Sequence, residues 1–297
     1  MNEKQKGINF FDGLGQNYAK ITPIEVGPVL MNPSDLDIEN QKQQTLMKNE
    51  KTYVFIPGGW HGGWAYDPIT ENLERLGKKC ISLTLPGLES QPGIPNRIIN
   101  LDTHIQFVID VFLKENLTDV ILCGHSYAGL VITGVADKIP ERIHALVYID
   151  AYIPKYGDSC WSLTSEVYRQ RFVAGAGNDG FTVADRPGLD NRRRPHPLAT
   201  FMQRLNLNGN YERILNRTFI YLSGWEQSPF VKQYENLKNS PDWHVETIDC
   251  EHNVMKAHPD KLVDILYRLE DKYSQIQKTL LTIGDRENRN QHHHLKN

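Results

Sequence analysis

From residue 52 onward, short apolar runs recur at intervals that leave room for one helix between most of them. The runs are TYVFIP (52–57), CISLTLP (80–86), DVILCG (119–124), HALVYID (144–150), RTFIYLSG (217–224) and HVETIDC (244–250). Nearly continuous apolar strands are buried on both faces, and strands that alternate with helices pair in parallel. The pattern predicts an α/β domain over 51–273, with a mostly parallel sheet covered by helices on both faces. HPDKLVDILYRLEDKY (258–273) carries apolar residues at helical spacing and reads as the last packed helix.

Residues 151–216 break the alternation, being too long for one crossover. They mix loop-like AGAGNDG and RPGLDNRRRPHP with helix-like SLTSEVYRQRF and PLATFMQRLN. This stretch reads as a helical cap insertion over the carboxyl ends of the strands, where open α/β sheets bind ligands. Residues 1–50 read as a polar N-terminal extension in which FFDGL (10–14) could dock on the body, and 274–297 as a polar tail. The HHH at 292–294 is not expected to be a specific metal site.

Composition excludes several classes. A net charge of −3 gives no basic surface for nucleic acid. No apolar stretch approaches the roughly 20 residues that span a bilayer. MNEKQKGINF has no apolar core of a secretory signal. Cys80, Cys123, Cys160 and Cys250 lack C-x-x-C spacing and read as free thiols in a reducing compartment, so the expected location is cytoplasmic. No P-loop, dinucleotide fingerprint or metal-ligand cluster is present, and no cofactor is expected.

GHSYAG (124–129) stands where a strand run gives way to a helix-like run. A serine on such an elbow is exposed as a nucleophile and needs small neighbours, which Gly124 and Ala128 are. The strict pattern has Gly at the place of Ala128. The other reading of Ser126 is a helix N-cap. PGGWHGGW (57–64) follows the first strand, and its glycines let backbone approach a ligand. The amides of Gly59 and Tyr127 are then the candidate oxyanion donors. Trp60 and Trp64 could equally pack in the core, and His61 reads as structural or pocket-lining. His252, in DCEHNVMKAHPDKL (249–262), follows the last strand and is the candidate base.

At this point the chain resembles the α/β-hydrolases of the plant methylesterase and hydroxynitrile lyase type and their bacterial esterase relatives. The matching stretches are FIPGGWHGGW, LPGLE, CGHSYAG, LVYIDAYIP, HPLATF and EHNVMKAHPDKL, within about 52–272. The resemblance implies an eight-stranded type of sheet, a helical cap and cofactor-free hydrolysis of small carboxylic esters. It carries the nucleophile to Ser126, the base to His252 and the oxyanion amides to Gly59 and Tyr127. Where the family usually has His-Gly this chain has Pro57-Gly58, so the oxyanion loop is held differently.

The larger departure is the acid. The family's Asp follows the seventh strand, but YLSGWEQSPF (221–230) has none; Trp225 falls at or near its place and Glu226 beside it. Glu226 is the first candidate acid, Asp150 in YIDAYIP the alternative, and a site with no acid partner the third reading. Trp60, His61, Trp161 and Phe201 are the expected pocket residues, for a small apolar or aromatic substrate. Arg192–Arg194 reads as solvated surface. The expected activity is hydrolysis of an ester or thioester through an acyl-enzyme on Ser126. Two alternatives stay open: non-hydrolytic chemistry with His252 as base (cyclase, lyase or cofactor-free oxygenase), and a binding protein with a degenerate triad. Cyanohydrin cleavage is disfavoured, because the lyases' Thr and Lys are replaced by Gly58 and Asn253. A homodimer is left open.

Overall fold

The computed structural model describes residues 51–91, 96–226 and 228–273. The expectations for 1–50 and 274–297, FFDGL docking and the HHH tract included, lie outside the described residues. Each of the six apolar runs contains a strand of one sheet. These are β1 (Thr52–Ile56), β2 (Lys79–Ser82), β3 (Val120–His125), β4 (Ile143–Ile149), β7 (Arg217–Leu222) and β8 (His244–Ile248). Their order is β2-β1-β3-β4-β7-β8, and every pairing is parallel. The described residues thus carry six strands of the main sheet, where the resemblance implied an eight-stranded type.

Burial explains why these runs are apolar throughout. Every residue of β1, β3 and β4 is buried. Alternate side chains enter two separate cores, as the two-residue period of a strand requires. Val54, Leu122 and Leu146 face one side with Ile105 and Phe112 of helix Leu101–Lys114 and Val131 of helix Ala128–Lys138. Tyr53, Ile121 and Val147 face the other with Ile69 of helix Asp67–Arg75 and Leu266 of the helix over 259–273. The edge strands β2 and β8 are only partly buried. Helix α1 (Asp67–Arg75) has Pro68 in its first turn, and Asn100 and Thr103 form a capping box at the start of α2 (Leu101–Lys114). Helix α3 (Ala128–Lys138) lies buried along ten of its residues, from Ala128 to Asp137.

The insertion is broken into short pieces: α4 (Cys160–Leu163), α5 (Glu166–Gly175), a two-residue ladder of β5 (Thr182–Val183) with β6 (His196–Pro197), and α6 (Leu198–Met202). SLTSEVYRQRF is not one helix, because the chain is extended at Thr164 and Ser165. After β7 come α7 (Val231–Leu237), then β8, α8 (Val254–Ala257) and α9, the helix over 259–273. The strand order also locates the site. The chain runs from β1 outward to β2, then returns to β3 beside β1 and proceeds the other way. The carboxyl ends of β1 and β3 therefore flank a switch point, where a crevice forms. PGGWHGGW and GHSYAG are the two segments that leave those ends.

Candidate active site

Ser126 leaves β3 with φ 56°, in the left-handed region that side chains other than Gly, Asn and Asp rarely occupy. Its amide donates to the Ile149 carbonyl and its carbonyl accepts from Gly129 and Tyr152, which lock the elbow in place. The glycine of this elbow stands at 129 for a steric reason. A Cβ on Gly129 would lie 1.9 Å from the Tyr152 carbonyl oxygen, whereas Ala128 fits and is fully buried. Gly58 is equally constrained, since a Cβ there would lie 2.7 Å from His125 Nδ1 and 3.0 Å from Ser126 Cβ. Ser126 itself is half-buried, and its hydroxyl has no hydrogen-bond partner among the described residues.

The oxyanion loop is gripped at one peptide unit. The Gly59 carbonyl accepts from His61 Nδ1 at 2.8 Å, and the Trp60 amide donates to His196 Nδ1 at 3.1 Å. Trp60 sits at φ 66°, and its indole Nε1–H donates to the Val183 carbonyl at 2.8 Å. This clamp acts on the peptide unit just after Pro57-Gly58, the pair that stands where the resemblance leads one to expect His-Gly. Gly59, Ser126 and Tyr127 line the same pocket. Neither the Gly59 nor the Tyr127 amide donates to another described residue, so both remain available to a ligand oxygen. The Tyr127 hydroxyl donates to His104 Nδ1 at 2.9 Å, and the opposite nitrogen of His104 donates to the Pro86 carbonyl. Burial holds His104 down to about 4 and His61, with Arg193 adding to the effect, to about 4.

The carboxylate at His252 is Asp150, not Glu226. His252 Nδ1–H donates to Asp150 Oδ2 at 2.7 Å. Asp150 directly follows β4 at φ 41° and is fully buried; its amide donates to the Ile220 carbonyl and its Oδ1 accepts from the Leu222 amide at 3.4 Å. Glu226 is solvent-exposed and makes no bond to His252. Trp225, which the resemblance puts at or near the place of the acid, lays its ring against His252 with centroids 4.4 Å apart; His125 flanks the imidazole at the same distance. His125 Nε2–H donates to the His252 carbonyl. Burial penalises a lone charge on either member of the pair, raising the Asp150 carboxyl and lowering the His252 imidazolium. The guanidinium charges of Arg171 and Arg193 lower His252 further. A neutral imidazole whose Nδ1–H is engaged keeps Nε2 as a free acceptor.

Two cavities meet at Ser126. A small one has aromatic walls, including Tyr152, Phe172, Phe201 and Phe230, with the thiol of Cys160. A larger one, of about 460 Å³, is lined by His61, Tyr168, Trp225 and three arginines. Trp60 lines both, and Phe201 and His61 line one each, as the sequence suggests. Trp161 lines neither: it packs half-buried against the core with the Arg169 guanidinium 5.9 Å from its ring. Tyr152, Cys160 and Phe230 had no signal beyond being apolar. Arg171 and Arg186 had none at all. The four cysteines are unpaired, and no helix among the described residues is long and apolar enough to cross a membrane.

Comparison with known proteins agrees with this architecture. The model of the Alpha/beta hydrolase family matches residues 53–265. The carbendazim hydrolyzing esterase of Nocardioides sp. is 34% identical over 238 residues, covering 73% of this chain and 98% of that protein. Among solved structures, an extracellular alpha/beta-hydrolase from a Paenibacillus species superposes with a TM-score of 0.64 at 19% identity, covering 74% of this chain and 98% of that one. A pyrethroid hydrolase from Sphingobium faniae gives 0.62 at 19% identity, over 74% and 97%. The chain belongs to the alpha/beta hydrolase family.

Proposed function

We propose that this protein hydrolyses small carboxylic esters through an acyl-enzyme on Ser126, with His252 as base and Asp150 as the acid that orients it. The contact that carries the reading is the 2.7 Å bond from His252 Nδ1 to the buried Asp150 carboxylate, beside a serine on a left-handed elbow. In the first step Ser126 Oγ attacks the ester carbonyl while His252 Nε2 takes its proton. The oxyanion forms against the Gly59 and Tyr127 amides, which meet it already oriented by the clamped loop. Collapse expels the alkoxide, which takes the proton from His252. Water then attacks the acyl-enzyme with His252 again as base, releasing the acid and restoring Ser126. Asp150 stabilises the imidazolium in both steps, and the flanking Trp225 ring adds a cation–π contribution.

The esterase and pyrethroid hydrolase named above support ester cleavage. Cyanohydrin cleavage fits poorly, since a threonine at 58 would run into His125 and Ser126. The four unpaired thiols favour a reducing, cytoplasmic setting. The test is incubation with a fluorophosphonate, intact mass and peptide mapping, together with hydrolysis of a p-nitrophenyl ester panel. A single adduct on Ser126, and loss of hydrolysis in Ser126→Ala, are expected. Activity that survives Ser126→Ala but dies in His252→Ala would transfer the chemistry to the histidine alone.

A further inference from the structure

The larger cavity beside Ser126 has an uneven charge. Three guanidinium groups, those of Arg171, Arg186 and Arg193, stand among its lining residues. Arg171 comes from α5, and Arg186 and Arg193 from the loop between β5 and β6. Arg171 and Arg193 both pair with Asp185, the former at 2.9 Å, and the Asp185 side chain is only 8% exposed. Arg186 has no ion-pair partner among the described residues. The lining contributes one carboxylate, the exposed Glu251. On the arginine wall itself, apart from the His252–Asp150 pair, three cations against Asp185 and Glu251 leave one positive charge in excess. Nδ1 of His61 is already engaged with the Gly59 carbonyl, and burial keeps that ring neutral, so it does not alter the balance.

Two further observations mark this wall as built for a ligand. The Nε–H of Arg193 is buried without an acceptor among the described residues. A buried charged donor without an acceptor is costly for a wall that serves structure alone. Arg171 is held between the rings of Trp60 and Tyr168, at 5.4 and 5.3 Å from their centroids, so it is oriented before any ligand arrives. Adjoining it at Ser126 is the small aromatic pocket, whose lining carries no residue charged at rest, His252 being neutral. A scissile carbonyl at Ser126 therefore borders both an apolar cavity and a cationic one.

We propose that the substrate is an anionic ester, with a small apolar group on one side of the scissile bond and a carboxylate on the other, bound by Arg171, Arg186 and Arg193. The excess of one positive charge suits a monoanion, and guanidinium groups match the planar carboxylate. The proposal rests on the hydrolase reading above and names its substrate class. Hydrolysis then yields either a dicarboxylic acid and a small alcohol or a small acid and a hydroxy-carboxylate, according to which side bears the anion.

Matched ester pairs test it. p-Nitrophenyl hydrogen glutarate is compared with p-nitrophenyl pentanoate, and 4-acetoxybenzoate with 4-acetoxybenzamide, which puts the anion on the acyl and the alcohol side in turn. The anionic member of one pair is expected to have a kcat/KM about tenfold or more above its neutral partner. That ratio is expected to fall in Arg186→Gln and on adding salt. Equal or better turnover of the neutral member in both pairs, or a ratio that Arg186→Gln leaves unchanged, overturns the proposal. Calorimetric titration of the same esters into Ser126→Ala gives a second measure without turnover: tighter binding of an anionic member supports the site, and equal binding throughout overturns it. If the wild-type protein hydrolyses nothing and fluorophosphonate leaves Ser126 unlabelled, the hydrolase reading fails, and the titration still decides the anion site.

Discussion

At the scale of single residues, Asp150 and Glu226 make the sharpest contrast. The acid's task is to accept the Nδ1–H of His252 and stabilise the imidazolium, and that depends on reach rather than on position along the chain. Asp150→Asn is expected to lower kcat by about 10⁴-fold with little change in KM, because the amide favours the wrong imidazole tautomer. Glu226→Gln is expected to stay within about twofold of wild type, as exposed substitutions away from a site do. Steady-state kinetics on one p-nitrophenyl ester compares the two, and a large loss in the Glu226 variant with none in the Asp150 variant reverses the assignment. The pH profile follows from the same pair. The proposed mechanism needs neutral His252, so activity is expected to fall as pH drops through its pKa. Burial and the charges of Arg171 and Arg193 lower that value. The acid limb of kcat/KM for a neutral ester should therefore lie below the ordinary histidine value of about 6.5. Arg193→Gln should move the limb upward, and a limb that stays put would show that Arg193 does not act on the imidazole. Neither effect was legible in the sequence, where Asp150 and Glu226 are two carboxylates near two strand ends and only the sheet decides which one reaches the histidine.

At the scale of elements, the strands were the most legible part, because burial on both faces forces β1, β3 and β4 to be apolar at every position. The insertion over 151–216 was the least legible. Its helices α4 and α6 have four and five residues, too few for a helical period to register. The run Arg192–Arg194 illustrates the limit. Arg192 lies over Trp64 at 4.1 Å and Arg194 donates to nearby carbonyls, while Arg193 turns inward to Asp185 and the cavity. Three identical neighbours thus have three environments that no composition rule distinguishes. The turn at Ser126 was expected from its motif, but the reason its glycine comes one residue late required the Tyr152 carbonyl. Gly129→Ala is expected to destabilise the protein by about 1–3 kcal/mol through overpacking. Ala128→Gly should cost about 1 kcal/mol through helix propensity alone. Urea unfolding of both variants is the check, and a neutral Gly129→Ala would contradict the steric account. The clamp on the oxyanion loop is a second property of elements, since His196 belongs to β6 in the cap while Trp60 leaves β1. His196→Ala should lower kcat more than it raises KM, because a loosened Gly59 amide loses contact with the oxyanion rather than with the substrate.

At the scale of the whole molecule, strain and stability are separated in space. Five non-glycine residues among those described have positive φ: Trp60, Asn116, Asp119, Ser126 and Asp150. Asn and Asp tolerate that region, and a tryptophan or a serine does not. The two intolerant residues, Trp60 and Ser126, both line the site at the switch point of the sheet. Both follow strands buried along their whole length, whose side chains feed two cores. The cores supply the free energy that holds the strained backbone in place. Comparing two substitutions that both delete the hydroxyl isolates the strain at Ser126. Alanine keeps the Cβ that opposes φ 56°, and glycine removes it. The left-handed conformation costs a side chain about 1–2 kcal/mol, and the extra freedom of glycine in the unfolded chain returns about 0.4–1 kcal/mol of that. Ser126→Gly should therefore be more stable than Ser126→Ala by about 0.5–1 kcal/mol, with both expected to be inactive. Urea unfolding of the two variants at one pH measures the difference. Equal stability, or a more stable alanine variant, would mean that the elbow stores no strain and that its shape comes at no cost to the fold.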